Sequence, residues 1–268
     1  MSPATPCLPW CLMPSLTLSG SWQMAIDDWL LDEVAAQRLG AVLRLYRWQR
    51  PSLSLGFHQC RWPSRWRRLA QAGQLELVRR PSGGTAVLHW GGLTYALVLP
   101  AERLGRAMTR RSSYRKCCGW LIETFSGLGE PLFFGDRPAG LSQANCFASG
   151  TAADLINGHG TKRVGSAQLW RRGHLLQHGE VLIQPPGALW RACFGVAAPR
   201  LPPLGGAEAS SLNRAMLEGR LLEAARQHLL QGPALPWQPS PGQWSAIAAR
   251  VPRFSLPRQD PGSPVEMG

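Results

Sequence analysis

The sequence predicts an α+β fold in which a mixed, mainly antiparallel sheet packs against helices. Three observations carry this. Apolar residues alternate in short runs between residues 41 and 184, the pattern of half-buried strands. Helical spacing is confined to a few longer stretches, chiefly 22–38, 113–128 and 208–230. Beyond Gly195 the strands stop and a proline-rich, helical segment follows. These changes divide the chain into a loosely ordered extension at 1–20, a main domain at 21–195 and an appendage at 196–268 with a disordered tail. With 268 residues, 44% of them hydrophobic, the chain can build a substantial core.

The first helix is expected over 22–38, where Met24, Trp29, Leu30, Leu31, Val34 and Ala35 recur at helical spacing around Asp27, Asp28, Asp32 and Glu33. Acids near its start suit the positive end of the helix dipole. Strands follow at 41–48 and, after Pro51, at 52–58. An arginine-rich helix is expected at 64–72. Strands at 75–80 and 85–89 flank a Gly83-Gly84 turn, and another at 93–99 ends at Pro100. A helix over 113–128 leads to a short strand at 132–134 and an irregular stretch at 135–145. Asn157-Gly158-His159-Gly160 joins strands at 151–156 and 162–170, a hairpin signal. A strand at 174–184 and a short helix at 188–194 complete the main domain.

No apolar run reaches the roughly 18 residues that a membrane helix requires. Residues 1–18 are apolar but carry Pro3, Pro6, Pro9 and Pro14 and no basic start, which argues against a secretory leader. The expected location is the cytoplasm. The seven cysteines are Cys7, Cys11, Cys60, Cys117, Cys118, Cys146 and Cys193. Their odd number fits a reduced compartment, and none has metal-ligand spacing, so no metal site is expected. The formal net charge of +13 attracts acidic partners, and on charge alone nucleic acid and acidic carrier proteins are both candidates.

Only two lysines, Lys116 and Lys162, stand among the 29 basic residues; the rest are arginine. Lysine is a compact ammonium on a flexible stem, whereas the guanidinium is a fixed planar fork. Lys162 is therefore a candidate for chemistry that arginine cannot perform. It opens Lys162-Arg163-Val164-Gly165-Ser166-Ala167-Gln168. Strand periodicity puts Lys162, Val164, Ser166 and Gln168 on one face, with Gly165 and Ala167 leaving the other open to a ligand or to close packing.

Two further segments carry candidate chemistry. In Arg79-Arg80-Pro81-Ser82-Gly83-Gly84-Thr85-Ala86-Val87-Leu88-His89, the two glycines can take positive φ, the turn can form a concave anion site, and the arginines can hold a carboxylate or phosphate. The same turn also reads as a plain hairpin. Cys146-Phe147 lies sixteen residues before Lys162. A thiolate beside an ammonium is a usable nucleophile, while a lone cysteine is more often an inert core residue. His58, His89 and His178 read as hydrogen-bonded core or rim residues rather than bases.

Taken in order, these segments resemble the lipoate–protein ligase and octanoyltransferase family, related in fold to the biotin–protein ligases. Gln23-Met24-Ala25-Ile26-Asp27 resembles its early helix. Arg79-Arg80-x-Ser82-Gly83-Gly84-x-Ala86-Val87-x-His89 matches its ligand-binding signature. Lys162-x-x-Gly165-Ser166-Ala167-Gln168, followed by Leu176-x-His178-Gly179, matches its second diagnostic segment. The resemblance implies that residues 21–195 form a catalytic domain with Lys162 and Cys146 as catalytic residues. It implies that Arg79, Arg80, Ser82, Gly83, Gly84, Ala86, His89, Gly165, Ser166, Ala167, His178 and Gly179 bind substrate. Two chemistries compete within the family. A transferase would take octanoate from acyl carrier protein through a Cys146 thioester, with no cofactor. A ligase would use ATP and Mg to form lipoyl-adenylate. Either would acylate a lysine of a lipoyl-domain protein, such as the glycine cleavage H protein or a 2-oxoacid dehydrogenase E2, with neither nucleic acid nor membrane as partner. A binding-only relative would do neither. Glu180 departs from the family, which carries Ser or Thr after His-Gly, and so either costs a hydroxyl near the site or adds a carboxylate.

Overall fold

The computed structural model describes residues 8–105, 108–135, 145–148, 150–205 and 213–256. In chain order its elements are β1 (Trp10–Leu18), α1 (Gly20–Ala35), β2 (Val42–Trp48), β3 (Ser52–Leu55), α2 (Ser64–Gln71), β4 (Glu76–Arg79), β5 (Val87–His89), β6 (Gly92–Pro100), α3 (Arg110–Gly127), β7 (Leu132–Phe134), β8 (Leu155–Asn157), β9 (Lys162–Arg171), β10 (His174–Leu182), α4 (Gly187–Phe194), α5 (Arg214–His228), β11 (Ala234–Pro236) and α6 (Pro241–Ala248). Among the described residues, eight strands form one sheet in the order β11-β1-β2-β6-β10-β9-β8-β7, and β4-β3-β5 form a second of three. In the large sheet β1 runs parallel to β2 and β11, and the remaining neighbours are antiparallel. This is the mixed, mainly antiparallel architecture that the alternation predicts.

Side-chain alternation sorts the large sheet into two faces. On one, Leu43, Leu45, Tyr95 and Leu97 pack with Trp120 and Leu121 of α3 and Leu217 and Leu221 of α5. On the other, Val42, Tyr46, Ala96 and Val98 pack with Ile26 and Leu30 of α1 and Ile247 of α6. The small sheet makes a third core, where Leu53, Leu55 and Val87 meet Trp66 of α2 and Trp190 of α4.

Both ends of the chain are more tightly built than their prolines suggest. Residues 10–18, expected within a loose extension, form β1, an internal strand with Trp10 2% exposed. Pro14 is tolerated because the register of β1 on β2 shifts between Met13 and Leu16, so its missing N–H interrupts no continuous ladder. Residues 1–7 lie outside the described residues. The described part of 196–268 is not an appendage. Helix α5 closes the first core, β11 extends the sheet, and Phe254 and Leu256 hydrogen-bond Arg79 and Leu77 of β4 through backbone atoms. The expected helix at 208–230 is observed from Arg214 to His228; 206–212 and the expected disordered tail at 257–268 lie outside the described residues, as does most of the irregular stretch at 135–145. The expected strand at 151–156 begins only at Leu155. Before it, Asp154 accepts from Thr151 N and Oγ1 and donates its own N–H to Thr151 O, a local turn that competes with the ladder.

A buried ion pair ties β9 to the end of α3. Arg163, with no exposed surface, donates to Glu130 Oε2 at 2.8 Å, Leu182 O at 3.0 Å and Pro202 O at 2.7 Å. Asn157 supplies a further donor to Glu130 Oε1. Removing one partner of such a pair strands the other charge. Glu130→Gln is expected to cost about 3 kcal/mol, read as a lower urea midpoint at unchanged m-value.

Candidate active site

The register of the large sheet lays the floor. Tyr46, Thr94, Glu180 and Gly165 stand in one row across β2, β6, β10 and β9; Arg44, Ala96, His178 and Ala167 stand in the next row of that face. Met24 of α1, Val87 of β5 and Gly84 wall a mainly apolar slot above these rows, and Cys146 lines it as well.

The glycine turn is held from inside. Arg80 folds back on it, donating to Gly83 O at 2.6 Å, Thr85 O at 2.8 Å and Ser54 O at 2.9 Å. Arg79 donates to the carbonyls of Gly56, Phe57 and Gln59. Both guanidiniums therefore cross-link loops, where the sequence suggested anion ligands. Their rigid forks match several carbonyls at once. Only Gly84 has positive φ, at 93°; Gly83 does not. Gly56 is required by close approach, since a Cβ there would sit 1.8 Å from Gly84 O.

The turn leads through Ala86 to Cys146. Ala86 O accepts from Cys146 N at 2.9 Å, and Asn145 Oδ1 accepts from Phe147 N, starting a short 3-10 turn over Cys146–Ala148. Phe147 is buried in the third core, which leaves Cys146 half-buried at the slot.

Lys162 reaches the same point by a route that strand periodicity misses. Leu155 of β8 pairs with Val164 and Ile156 with Lys162, so Arg163 is an extra residue in β9. Such a bulge reverses the parity of the strand. Val164 enters the first core, while Lys162 turns over Gly165 on the slot side instead of sharing a face with Val164 and Ser166. A Cβ on Gly165 would meet Lys162 Cε at 2.9 Å and the Phe147 ring at 3.2 Å, which is why glycine stands there. Lys162 Nζ lies 2.7 Å from Cys146 O, 3.4 Å from Cys146 Sγ and 2.9 Å from Asp154 Oδ1, and 4.9 Å from the centre of the Phe147 ring. The Lys162 side chain is 3% exposed.

Two carboxylate–histidine–serine chains brace the slot. His178 Nδ1 lies 2.8 Å from Asp27 Oδ2, and Nε2 2.6 Å from Ser82 Oγ. Tyr46 donates to the same Asp27 oxygen. His89 Nδ1 lies 2.8 Å from Glu180 Oε2, and Nε2 2.8 Å from Ser54 Oγ. Beside an acceptor-only carboxylate, each Nδ1 carries a proton, and each Nε2 faces a serine hydroxyl that can donate or accept. Burial holds the His89 imidazole below its ordinary range, against the pull of Glu180. Glu180 also accepts from Thr94, and Trp48 stacks on His89 with ring centres 3.9 Å apart. The carboxylate at the unusual position is thus bonded into the wall. Ser166 Oγ lies 2.8 Å from Tyr95 Oη. A Cβ on Gly179 would strike the Tyr95 ring at 2.6 Å, so that glycine serves packing.

Sequence reasoning missed Asp154, Ser54 and Thr94, and left Asp27 as a helix-dipole acid. One signal was available for Asp154: it is the only acid between Cys146 and Lys162. Among the described residues no group of three or more His, Cys, Asp or Glu could hold a metal ion, and no helix is long and apolar enough to cross a membrane.

Residues 19–197 match the lipoyl protein ligase A/B catalytic domain. The chain belongs to that family. Among lipoyl ligase-family relatives, it is 36% identical over 177 residues to "Octanoyltransferase LipM" of Carboxydothermus hydrogenoformans, covering 65% of each chain. It is 31% identical to the Oceanobacillus iheyensis protein of the same name, covering 64% of this chain and 63% of that one. The matched region thus spans slightly less than two thirds of either relative. A solved structure of a putative lipoate protein ligase from T. acidophilum with bound lipoic acid superposes with a TM-score of 0.70 at 16% identity, covering 92% of this chain and 96% of that one. Lipoate-protein ligase A bound with ATP gives 0.65 at 17%, covering 92% and 94%. At these identities the structural likeness establishes the fold alone.

Proposed function

We propose that this chain is an octanoyltransferase that moves an octanoyl group from acyl carrier protein, through a thioester on Cys146, to a lysine of a lipoyl-domain protein. The observation that carries the reading is the 3.4 Å approach of Lys162 Nζ to Cys146 Sγ at the edge of an apolar slot. An ammonium there stabilises negative charge on sulfur, then on the thioester oxygen as the carbonyl is attacked. In the first step the Cys146 thiolate attacks the octanoyl thioester, the new C–S bond forms, and the carrier thiolate departs. In the second, the neutral acceptor lysine attacks acyl-Cys146, an amide forms as the C–S bond breaks, and the amine proton passes to the departing Cys146 thiolate. The acyl chain lies in the slot over Gly165 and Ala167. The net charge of +13 suits acidic carrier and lipoyl domains. Glycine cleavage H protein and 2-oxoacid dehydrogenase E2 are the acceptors of matching class. The relatives named for octanoyl transfer support this over ligation, which would require ATP and Mg.

Incubation with octanoyl carrier protein is expected to add one octanoyl group to Cys146, removable by hydroxylamine, with no ATP present. Lipoate-dependent pyrophosphate exchange without such an adduct would favour the adenylating reading. Lipoyl-domain binding with neither activity would indicate a binding-only relative.

A further inference from the structure

We infer that Asp154 is a positioning residue that prevents Lys162 from capturing the acyl group itself. The inference rests on the acyl-Cys146 reading above. Once Cys146 is acylated, the reactive carbonyl carbon is one bond from a sulfur that lies 3.4 Å from an amine. A free amine in that place would take the acyl group. The C–S bond would break as the Lys162 N–C bond formed, and the departing thiolate would accept the amine proton. The products would be a free thiol and an amide, and the enzyme would be dead after one turnover. The external acceptor is also a lysine, so its chemistry does not distinguish it from Lys162. Protonation does.

The geometry supplies the Lys162 nitrogen with a counter-charge and two further acceptors. Lys162 Nζ lies 2.9 Å from Asp154 Oδ1, 2.7 Å from Cys146 O and 3.4 Å from Cys146 Sγ, three acceptors that an ammonium satisfies at once. Asp154 is the counter-charge in this set, and both side chains are almost wholly buried. Its other oxygen is fixed by Thr151 N and Oγ1, each at 2.8 Å, and Ser166 N approaches Oδ1 at 3.4 Å. A buried ammonium without a counter-charge is disfavoured against the neutral amine. Removing the Asp154 charge therefore releases the nucleophile where it does harm.

The test uses the full chain, octanoyl carrier protein and no acceptor. Wild type, Asp154→Asn and Thr151→Val are acylated, treated with hydroxylamine, digested and read by peptide mass. Thr151→Val keeps the charge but removes one of its anchors, and it covers the case in which Asp154→Asn does not fold. The wild-type adduct is expected on Cys146 and hydroxylamine-labile. In Asp154→Asn the hydroxylamine-resistant fraction, located on Lys162, is expected to rise about tenfold or more. Thr151→Val should give a smaller rise, and Asp154→Glu should restore the labile adduct. Adducts that stay labile on Cys146 to the wild-type extent in Asp154→Asn, or in Thr151→Val where Asp154→Asn does not fold, would overturn the inference while leaving the transferase reading intact. A wild type that forms no labile adduct would overturn the transferase reading, and this inference with it.

Discussion

Cys146→Ser is expected to lower octanoyl transfer on the order of a thousandfold and to abolish the hydroxylamine-labile adduct. The reason lies in what surrounds the thiol. A serine nucleophile requires a base to take its proton, and the nearby bases are committed. His178 is bonded to Asp27 and Ser82, and His89 to Glu180 and Ser54. Among the described residues the cation hydrogen-bonded to Cys146 is Lys162, which stabilises an anion on sulfur. That arrangement suits a group that ionises readily and fails a hydroxyl. The substitution is nearly isosteric and keeps the packing of residue 146 against the third core, so folding should be unaffected. The measurement is the single-turnover rate of acylation, with circular dichroism as the control. A variant that retains pyrophosphate exchange and lipoylation would turn the reading to adenylate chemistry, since that route does not pass through sulfur.

The motif residues of this site were legible because they sit on strands whose alternation is clear. Gly165, Ala167 and His178 fall on the slot face as β9 and β10 are read residue by residue. The Cys146–Lys162 pairing was not legible in the same way. One extra residue, Arg163, reverses the side on which Lys162 emerges, and a bulge leaves no mark in hydrophobic alternation. The Cys146–Lys162 approach depends on Cys146 N bonding Ala86 O, a contact sixty residues apart in sequence. Arg79 and Arg80 look like anion ligands in one dimension; only the folded turn presents the carbonyls that occupy them. Strand β1 was hidden by Pro14, and β11, three residues long, is too short for periodicity to register.

Lys162→Arg is expected to lower the acylation rate about a hundredfold although the positive charge is kept. The position asks one nitrogen to face three groups, Asp154 Oδ1, Cys146 O and Cys146 Sγ, that lie in different directions around it. A tetrahedral ammonium meets them together and can turn toward an oxyanion as it forms. A planar fork can pair with Asp154, but its donors share one plane and its head is larger. The space over Gly165 is already filled by the Lys162 stem and the Phe147 ring, so the guanidinium must displace the ring or leave the slot. Overpacking of this kind typically costs about 1–3 kcal/mol of stability. Lys162→Ala isolates the other half of the argument, since it strands the buried Asp154 charge and should destabilise the fold by about 3 kcal/mol or more. If Lys162 served only to neutralise Asp154, arginine would recover both stability and rate. Arginine that is more stable than Lys162→Ala while the rate stays low, at unchanged KM for the octanoyl donor, would assign the lysine to charge developing at the thioester.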